Sequence, residues 1–175
     1  MQNKFSYPLK LEDMSATPKT YHLKANPAHL KETADLLRLS ALHSLNCDIT
    51  VSFDKTRHQV DVTGRLSAQV EHTSVISLQT FIRPYQIDFY LTYDPELTYA
   101  KQRELEDFSD INADIPEVME NKQIDLAAIT VEQLALNLDD FPKKEGETFN
   151  FVSEFDETDN LSRRPFEILK KIKKS

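Results

Sequence analysis

The chain has 175 residues, 39% of them hydrophobic and 29% charged, which is enough for one hydrophobic core and short for two. Only two glycines, Gly64 and Gly146, are present, and this excludes the glycine-rich loops that bind nucleotide phosphates. The single cysteine, Cys47, excludes an internal disulfide, and the five histidines lack the spacing of a zinc motif. We therefore expect a single domain over residues 1–175 that uses no metal and no cofactor.

The net charge of −8 is distributed unevenly along the chain. Residues 1–93 carry ten Lys and Arg against nine Asp and Glu, residues 94–160 carry five against nineteen, and residues 161–175 carry six against one. The result is a nearly neutral body, an acidic middle and a basic tail. Because phosphate binding needs local positive charge, this pattern argues against a chain that wraps nucleic acid with its whole surface.

The N-terminus shows no targeting signal. Residues 1–14 alternate apolar and polar side chains and lack the apolar core of a signal peptide. No apolar run approaches the ~20 residues that span a membrane. Together with the single cysteine, this predicts a soluble cytoplasmic protein without a membrane partner.

The body, residues 1–93, opens with two predicted strands and a helix. Alternating apolar side chains predict strands over residues 5–13 and 19–25. Asn26 followed by Pro27 is typical of a helix start, and apolar spacing extends the predicted helix to about Leu42. The buried face of this helix would comprise Leu30, Ala34, Leu37 and Ala41.

Three longer strands are predicted over residues 47–54, 58–70 and 84–95. Residues 54–57 predict a hairpin turn, and Gly64 in the middle of the second of these strands predicts a bulge or bend. Strands in series with short connections form an antiparallel meander with one wet face. The predicted fold class is α+β: an antiparallel β-sheet meander, a packed N-terminal helix and a smaller C-terminal helical part.

The rest of the chain has three predicted stretches. Residues 94–121 are acidic and poorly periodic, which predicts a long, partly ordered excursion. Residues 122–160 predict a short strand at 124–126 and a helix that is capped by Thr130 and ended by Pro142, followed by an extended piece over 147–155. The buried face of that helix would comprise Val131, Leu134 and Leu138. The basic tail, residues 161–175, predicts a short amphipathic helix.

Few residues suggest catalysis. His72 and Ser74, with Glu71 or Asp88 nearby, are a fragment of a hydrolase triad, but the serine lacks a sharp nucleophile turn and a glycine-built oxyanion hole. We interpret them as a polar cluster beside a turn, and a hydrolase or nuclease is the alternative. Cys47 is predicted to be a buried, inert thiol, and the histidines are expected at the surface or half-buried.

The charged segments are the candidate binding regions. The carboxylates of residues 104–120 lack the ligand spacing of a calcium loop, so they form a solvated segment or mimic nucleic-acid charge toward a basic partner. The tail could bind RNA phosphates, a membrane surface or the acidic segment of its own chain, or dock as a terminal helix. Its candidate binding residues are Arg163, Arg164, Lys170, Lys171, Lys173 and Lys174.

Two blocks of the sequence resemble the YceD family of large ribosomal RNA subunit accumulation proteins, in its alphaproteobacterial branch. The segment GRLSAQVEHTSVISLQTFIRPYQIDFYLTYDP matches at Gly64, Leu66, Ala68, Val70, Thr73, Val75, Leu78 and Phe81. The segment QIDLAAITVEQLALNLDDFPKKEGETF matches at Ile124, Asp125, Leu126, Glu132, Leu134, Leu136, Leu138, Asp139, Phe141, Pro142, Gly146 and Phe149. The ending RRPFEILKKIKKS is also similar to that of the branch.

The chain departs from the family at three points. Ser74 stands where the family usually has cysteine, and Gln79-Thr80 replace Glu-Pro. The Cys-rich, metal-finger-like segment of other branches is missing, so the resemblance implies no metal. Structural roles are implied for Gly64, Thr73, Ser74, Leu78, Asp125, Glu132, Leu134, Pro142 and Gly146.

The resemblance implies a non-enzymatic factor that supports 23S rRNA accumulation and large ribosomal subunit biogenesis. Its implied partners are rRNA or a ribosomal or ribosome-assembly protein, with no small-molecule substrate. An acidic adaptor that binds a basic ribosomal protein is the alternative.

Overall fold

The computed structural model describes residues 5–108 and 114–148. The chain divides into two units, residues 1–144 and 145–175, and every helix and strand of the described residues lies in the first. The six cationic residues of the predicted tail helix lie outside the described residues, as does most of the predicted extended piece over residues 147–155.

The described residues form seven strands and three helices. In chain order they are β1 (Pro8–Lys10), β2 (Lys19–Lys24), α1 (Pro27–Leu37), β3 (Ala41–Asp54), β4 (Gln59–Thr73), β5 (Thr80–Asp94), α2 (Tyr99–Phe108), β6 (Glu117–Val118), β7 (Gln123–Asp125) and α3 (Leu126–Leu136). Strands β2 to β5 pair antiparallel in sequence order, and β6 joins the end of β5 in parallel. Strands β1 and β7 form a separate antiparallel pair. The predicted α+β fold with an antiparallel meander is confirmed.

Alternation gives the long strands one buried face and one wet face. The inward residues of β3 and β4, such as Ile49 and Leu66, are fully buried and form the centre of the core. Helix α1 packs on β3, and α3 packs on β4 and β5, so both helices cover this face. The opposite face carries polar contacts such as the Arg65 Nε–Asp88 Oδ1 ion pair of 2.7 Å.

Helix α1 begins as predicted and ends earlier than predicted. The side chain of Asn26 accepts a hydrogen bond from His29 N at 2.9 Å, and Pro27 is the first helical residue. The helix ends at Leu37 because Arg38 adopts a left-handed conformation with a φ of 56°. Ala41, predicted on the helix, instead begins β3, so that strand is longer than residues 47–54.

The predicted bulge at Gly64 is wrong. Gly64 pairs in continuous register with Ile49 on β3 and Phe89 on β5, and the register shift of the β3–β4 pair lies between Leu42 and Ser44. The ring of Phe89 occupies the space over Gly64, and a Cβ at that position would overlap it. The glycine therefore serves close packing within a regular strand.

Helix α3 is capped by Asp125 and not by Thr130. The Asp125 side chain accepts hydrogen bonds from Ala127 N at 3.0 Å and Ala128 N at 3.1 Å, as an N-cap does. Thr130 lies inside the helix, fully buried, and donates its hydroxyl to Leu126 O at 2.9 Å. The helix ends at Leu136 and not at Pro142, so Leu138 lies beyond it. Of the predicted buried face, Leu134 is fully buried, whereas Val131 and Leu138 are half-buried.

Two other predicted elements differ from the structure. The first strand is confined to Pro8–Lys10, because only this part pairs with β7. The acidic stretch 94–121 contains helix α2, which was not predicted; Tyr99 Oη donates to Glu120 Oε1 at 2.6 Å and ties the helix to the chain after β6. None of the helices within residues 5–108 and 114–148 has the length and apolar character needed to cross a membrane.

Candidate functional site

The turn between β4 and β5 is built around Ser74. This side chain is fully buried, and its Oγ accepts hydrogen bonds from Ile76 N at 3.1 Å and Ser77 N at 3.3 Å. Its backbone N–H donates to Gln79 O at 2.9 Å, and its carbonyl accepts from Leu78 N at 3.0 Å. The sequence places His72 and Ser74 beside a turn, and that turn is present, with Ser74 shaping it.

The tip of this turn exposes apolar side chains. Leu78 has a positive φ of 59° and is 77% exposed. A left-handed conformation is rare for a bulky residue and costs free energy, so the surrounding turn must enforce it. Val75, in the same turn, is also exposed. The turn therefore presents apolar groups outward instead of burying them.

The segment that follows α3 packs against this turn. Val75 N donates to Pro142 O at 2.9 Å, and Arg83 Nη1 forms an ion pair of 2.8 Å with Asp139 Oδ2. Arg83 Nη2 also donates to Lys143 O at 2.9 Å. We call residues 74–79 and 139–143 together the turn end. It joins the two sequence blocks that carry the family resemblance, and it also exposes Phe141.

A cleft of about 450 Å³ lies beside the turn end. It is bounded by Leu37 at the end of α1 and Ser40 after it, by His72 near the end of β4, and by Leu138 and Asp139 after α3. The acidic residues Asp139 and Asp140 line the cleft, and so does the basic residue Arg38. The cleft is thus a polar depression formed by three separate parts of the chain.

His72 is buried beside this cleft, which corrects the expectation that it lies at the surface or half-buried. Its Nε2 lies 2.8 Å from the Tyr85 hydroxyl, and the rings of Phe81 and Tyr85 have centroids 5.8 Å away. Burial, followed by the charge of Arg83, lowers the pKa of His72 below its ordinary value. The imidazole is therefore neutral at neutral pH and packs as part of an aromatic group.

The carboxylates proposed for a hydrolase triad are engaged elsewhere. Asp88 pairs with Arg65 on the wet face of the sheet, and Glu71 Oε2 lies 2.9 Å from His43 Nε2. Ser74, the nucleophile of that hypothesis, is fully buried and caps its turn. These residues therefore serve the strands and turn in which they lie.

Electrostatically, the described part of the chain is acidic. It contains 14 Lys and Arg against 23 Asp and Glu, a net charge of −9. Three of its five arginines form ion pairs: Arg57 with Asp54 and Asp61, Arg65 with Asp88, and Arg83 with Asp139. Most of its guanidinium charge is therefore neutralised locally and does not form a phosphate-binding surface.

Other residues for which the resemblance implies a structural role lie in different surroundings. Thr73 Oγ1 lies 2.9 Å from Ser40 Oγ, Glu132 is exposed on α3, and Gly146 has a φ of 83° that suits glycine. Cys47 is buried as predicted, and burial raises its pKa to about 11. Within residues 5–108 and 114–148, no three His, Cys, Asp or Glu side chains lie close enough to hold a metal ion.

The role of Arg83 was missed by sequence reasoning, although the sequence contained a signal. The apolar row of β5 includes Phe81, Tyr85 and Ile87, and Arg83 occupies the same row. A charged residue at such a position needs a partner, because burial of an unpaired charge is costly. The alternation of β5 therefore predicts that Arg83 has a charged partner, but it does not identify that partner as Asp139.

Comparison with known proteins agrees with the resemblance. The family model of the large ribosomal RNA subunit accumulation protein YceD matches residues 62–173, well over half of the chain. No curated protein and no solved structure gives a significant match. The match covers most of β4 and all of β5, the turn end and α3, and on this basis the chain belongs to the YceD family of large ribosomal RNA subunit accumulation proteins.

Proposed function

We propose that this protein supports 23S rRNA accumulation and large ribosomal subunit biogenesis without catalysing a reaction, and that its folded body binds a basic ribosomal or assembly protein. The family description carries the role in rRNA accumulation. The net charge of −9 over the described residues carries the choice of a protein partner over RNA for the body. A surface of that charge repels phosphates and attracts lysine-rich protein segments.

The buried histidine and serine support a role without catalysis. Ser74 is used by its turn, and His72 is packed against aromatic rings. A general acid or base must come within hydrogen-bond reach of a substrate. The exposed groups at the turn end instead include three apolar side chains, Val75, Leu78 and Phe141, as in a surface that binds a macromolecule.

The basic tail favours a second contact, with rRNA. Residues 161–175 carry six Lys and Arg against one acidic residue, which is the composition of a phosphate-binding segment. We propose that the tail contacts rRNA while the body holds a protein.

Affinity purification of the full chain from lysate, with and without ribonuclease, tests the choice of partner. We expect a basic ribosomal or assembly protein to remain bound after ribonuclease treatment, and rRNA to be lost. Complete loss of protein partners on ribonuclease treatment would show that they are held through RNA, and would contradict a protein partner of the body. Depletion of the protein should lower the ratio of 23S rRNA to small-subunit rRNA, and an unchanged ratio would contradict the role in accumulation.

A further inference from the structure

A groove of about 340 Å³ runs between α1 and α3. Its walls include Phe5, Thr33 and Leu37 on one side and Ala128, Val131 and Ala135 on the other. The alanines of α3 leave room between the helices, because larger side chains at these positions would fill it. Leu36 lines the same groove with 70% of its surface exposed. The groove is therefore apolar, and among the described residues none covers it.

Both helices place a carboxylate beside this apolar surface. Glu32 of α1 and Glu132 of α3 line the groove, and both are exposed. Neither forms an ion pair with another of the described residues. The groove thus combines an apolar floor with negative charge on each side. This combination disfavours a phosphate-bearing ligand and matches a ligand that is apolar along one line and cationic at its flanks.

We infer that this groove is the docking site for a basic amphipathic helix of the protein partner, an inference that rests on the proposed function. A helix bound in a groove inserts apolar side chains at i, i+4 and i+7, while its flanking lysines and arginines remain at the rims. In a helix bound this way, the flanking cations would lie close to the carboxylates of Glu32 and Glu132. Helix-in-groove binding also uses two rigid helices as walls, and α1 and α3 are both fixed on the sheet.

The acidic lining continues beyond the groove. Leu37 and Ala135 line both the groove and the cleft beside the turn end, so the two depressions share a border. The cleft adds Asp140 on the α3 side, whereas its Asp139 is already paired with Arg83 and its Arg38 is cationic. A helix longer than the groove would therefore meet one further carboxylate at that end, and the choice of a basic partner helix depends mainly on Glu32 and Glu132.

Fluorescence anisotropy with a synthetic peptide tests the inference on the full chain. The probe is a labelled helix-forming peptide of about 15 residues, with leucines at i, i+4 and i+7 between lysines. A second peptide carries glutamate in place of every lysine. We expect saturable binding of the lysine peptide and none of the glutamate peptide.

Matched variants distinguish binding at the groove from nonspecific binding through overall charge or exposed apolar surface. Glu32→Lys changes the groove, and Glu106→Lys makes the same charge change on the exposed surface of α2. Leu36→Ser and Leu105→Ser form an equivalent pair of exposed leucines on helices. We expect Glu32→Lys to weaken peptide binding by at least about fivefold and Leu36→Ser by about tenfold. The two α2 variants should change it by less than about twofold, with unfolding midpoints unchanged throughout.

Absence of saturable binding of the lysine peptide, or equal effects of Glu32→Lys and Glu106→Lys, would overturn the inference. Sedimentation equilibrium adds another outcome: a wild-type dimer that Leu36→Ser converts to a monomer would show that a second copy occupies the groove. The proposed function is judged by different results. A ribonuclease-resistant partner recovered equally with wild type and Glu32→Lys would leave that function standing and reject the groove, whereas recovery of RNA alone would reject the function.

Discussion

Arg83 on β5 and Asp139 after α3 form an ion pair of 2.8 Å between residues that lie 56 positions apart. Both side chains are partly exposed, and Arg83 also donates to Lys143 O. This pair, together with the Val75 N–Pro142 O hydrogen bond, holds the second family block against the β4–β5 turn. The geometry of the turn end therefore depends on a contact that neither block makes alone.

A double-mutant cycle with Arg83→Gln and Asp139→Asn should reveal this coupling. We expect a coupling free energy of unfolding of about 0.5–1 kcal/mol, because the pair is only partly shielded from water. The cycle is measured by urea denaturation at about pH 7. The Arg65–Asp88 pair, which is more exposed, is the control and should show weaker coupling. Equal coupling in the two pairs would contradict a special role for Arg83.

The same pair predicts a dependence of stability on pH. Hydrogen bonds from Arg83, and then from Phe141 N, lower the pKa of Asp139 below its ordinary value of 3.8. The folded state therefore holds its proton less tightly than the unfolded chain, and the contribution is complete above about pH 5. It is lost as the pH falls below 3.8 toward the folded-state pKa. Asp139→Asn should lose less stability than wild type between about pH 5 and pH 3, and equal losses would contradict this assignment.

Gly64→Ala should destabilise the sheet. A Cβ at this position overlaps the ring of Phe89, which must then move. We expect a loss of about 1–3 kcal/mol in the free energy of unfolding, as for other overpacked sites. Thermal or urea unfolding of Thr63→Ala, on the exposed face of the same strand, provides the control. Adding Phe89→Ala to Gly64→Ala should cost less than Phe89→Ala costs in wild type, and strict additivity would argue against the contact.

Leu134→Ala and Leu136→Ala should differ sharply. Leu134 is fully buried in the core, whereas Leu136, two residues later on α3, is 71% exposed. Truncation of the buried leucine should cost about 2–5 kcal/mol, and truncation of the exposed one less than about 0.5 kcal/mol. Urea unfolding of both variants measures the difference. Similar values would mean that α3 does not pack on the sheet through Leu134.

Cys47 should not react while the protein is folded. Burial raises the pKa of its thiol to about 11, so little thiolate exists at neutral pH. We expect a thiol reagent such as iodoacetamide to label Cys47 only when the chain is unfolded by denaturant. Because the unfolded chain loses this proton first, Cys47 makes stability fall as the pH rises above about 9 toward 11. Cys47→Ala should show a smaller alkaline decline than wild type, the rest of which comes from groups such as Tyr93, whose pKa burial also raises. Rapid labelling of the native protein would contradict the burial.

The basic tail is predicted to bind rRNA through its positive charge. Replacement of Lys170, Lys171, Lys173 and Lys174 by glutamine should weaken binding to 23S rRNA at low salt. Each lost phosphate contact should reduce the slope of log K against log salt by up to about 0.9, or about 0.7 for single strands. Titrations of wild type and the variant at several salt concentrations measure this slope. Equal, salt-insensitive curves for both proteins would rule out the RNA role of the tail.

The local pattern of the sequence determined much of the fold. Alternating side chains predicted the three long strands and their two faces, and Asn26-Pro27 predicted where α1 begins. The spacing on α3 identified Leu134 as buried. These features were predictable because each depends on residues within one element, where a period of two or of 3.6 is visible.

Only the tertiary structure decided which distant residues meet. Asp125 caps α3 through its near neighbours Ala127 N and Ala128 N, but only the tertiary structure brings Ser6 Oγ and Tyr7 N, more than a hundred residues earlier, to donate to the same carboxylate. The ring of Phe89 explains why position 64 is a glycine, and the ion pair with Asp139 explains why a charged Arg83 is tolerated in an apolar row. The groove exists because α1 and α3, far apart in sequence, lie side by side on the sheet. Periodicity shows which face of an element is apolar, but the partner of that face is set by chain topology and packing.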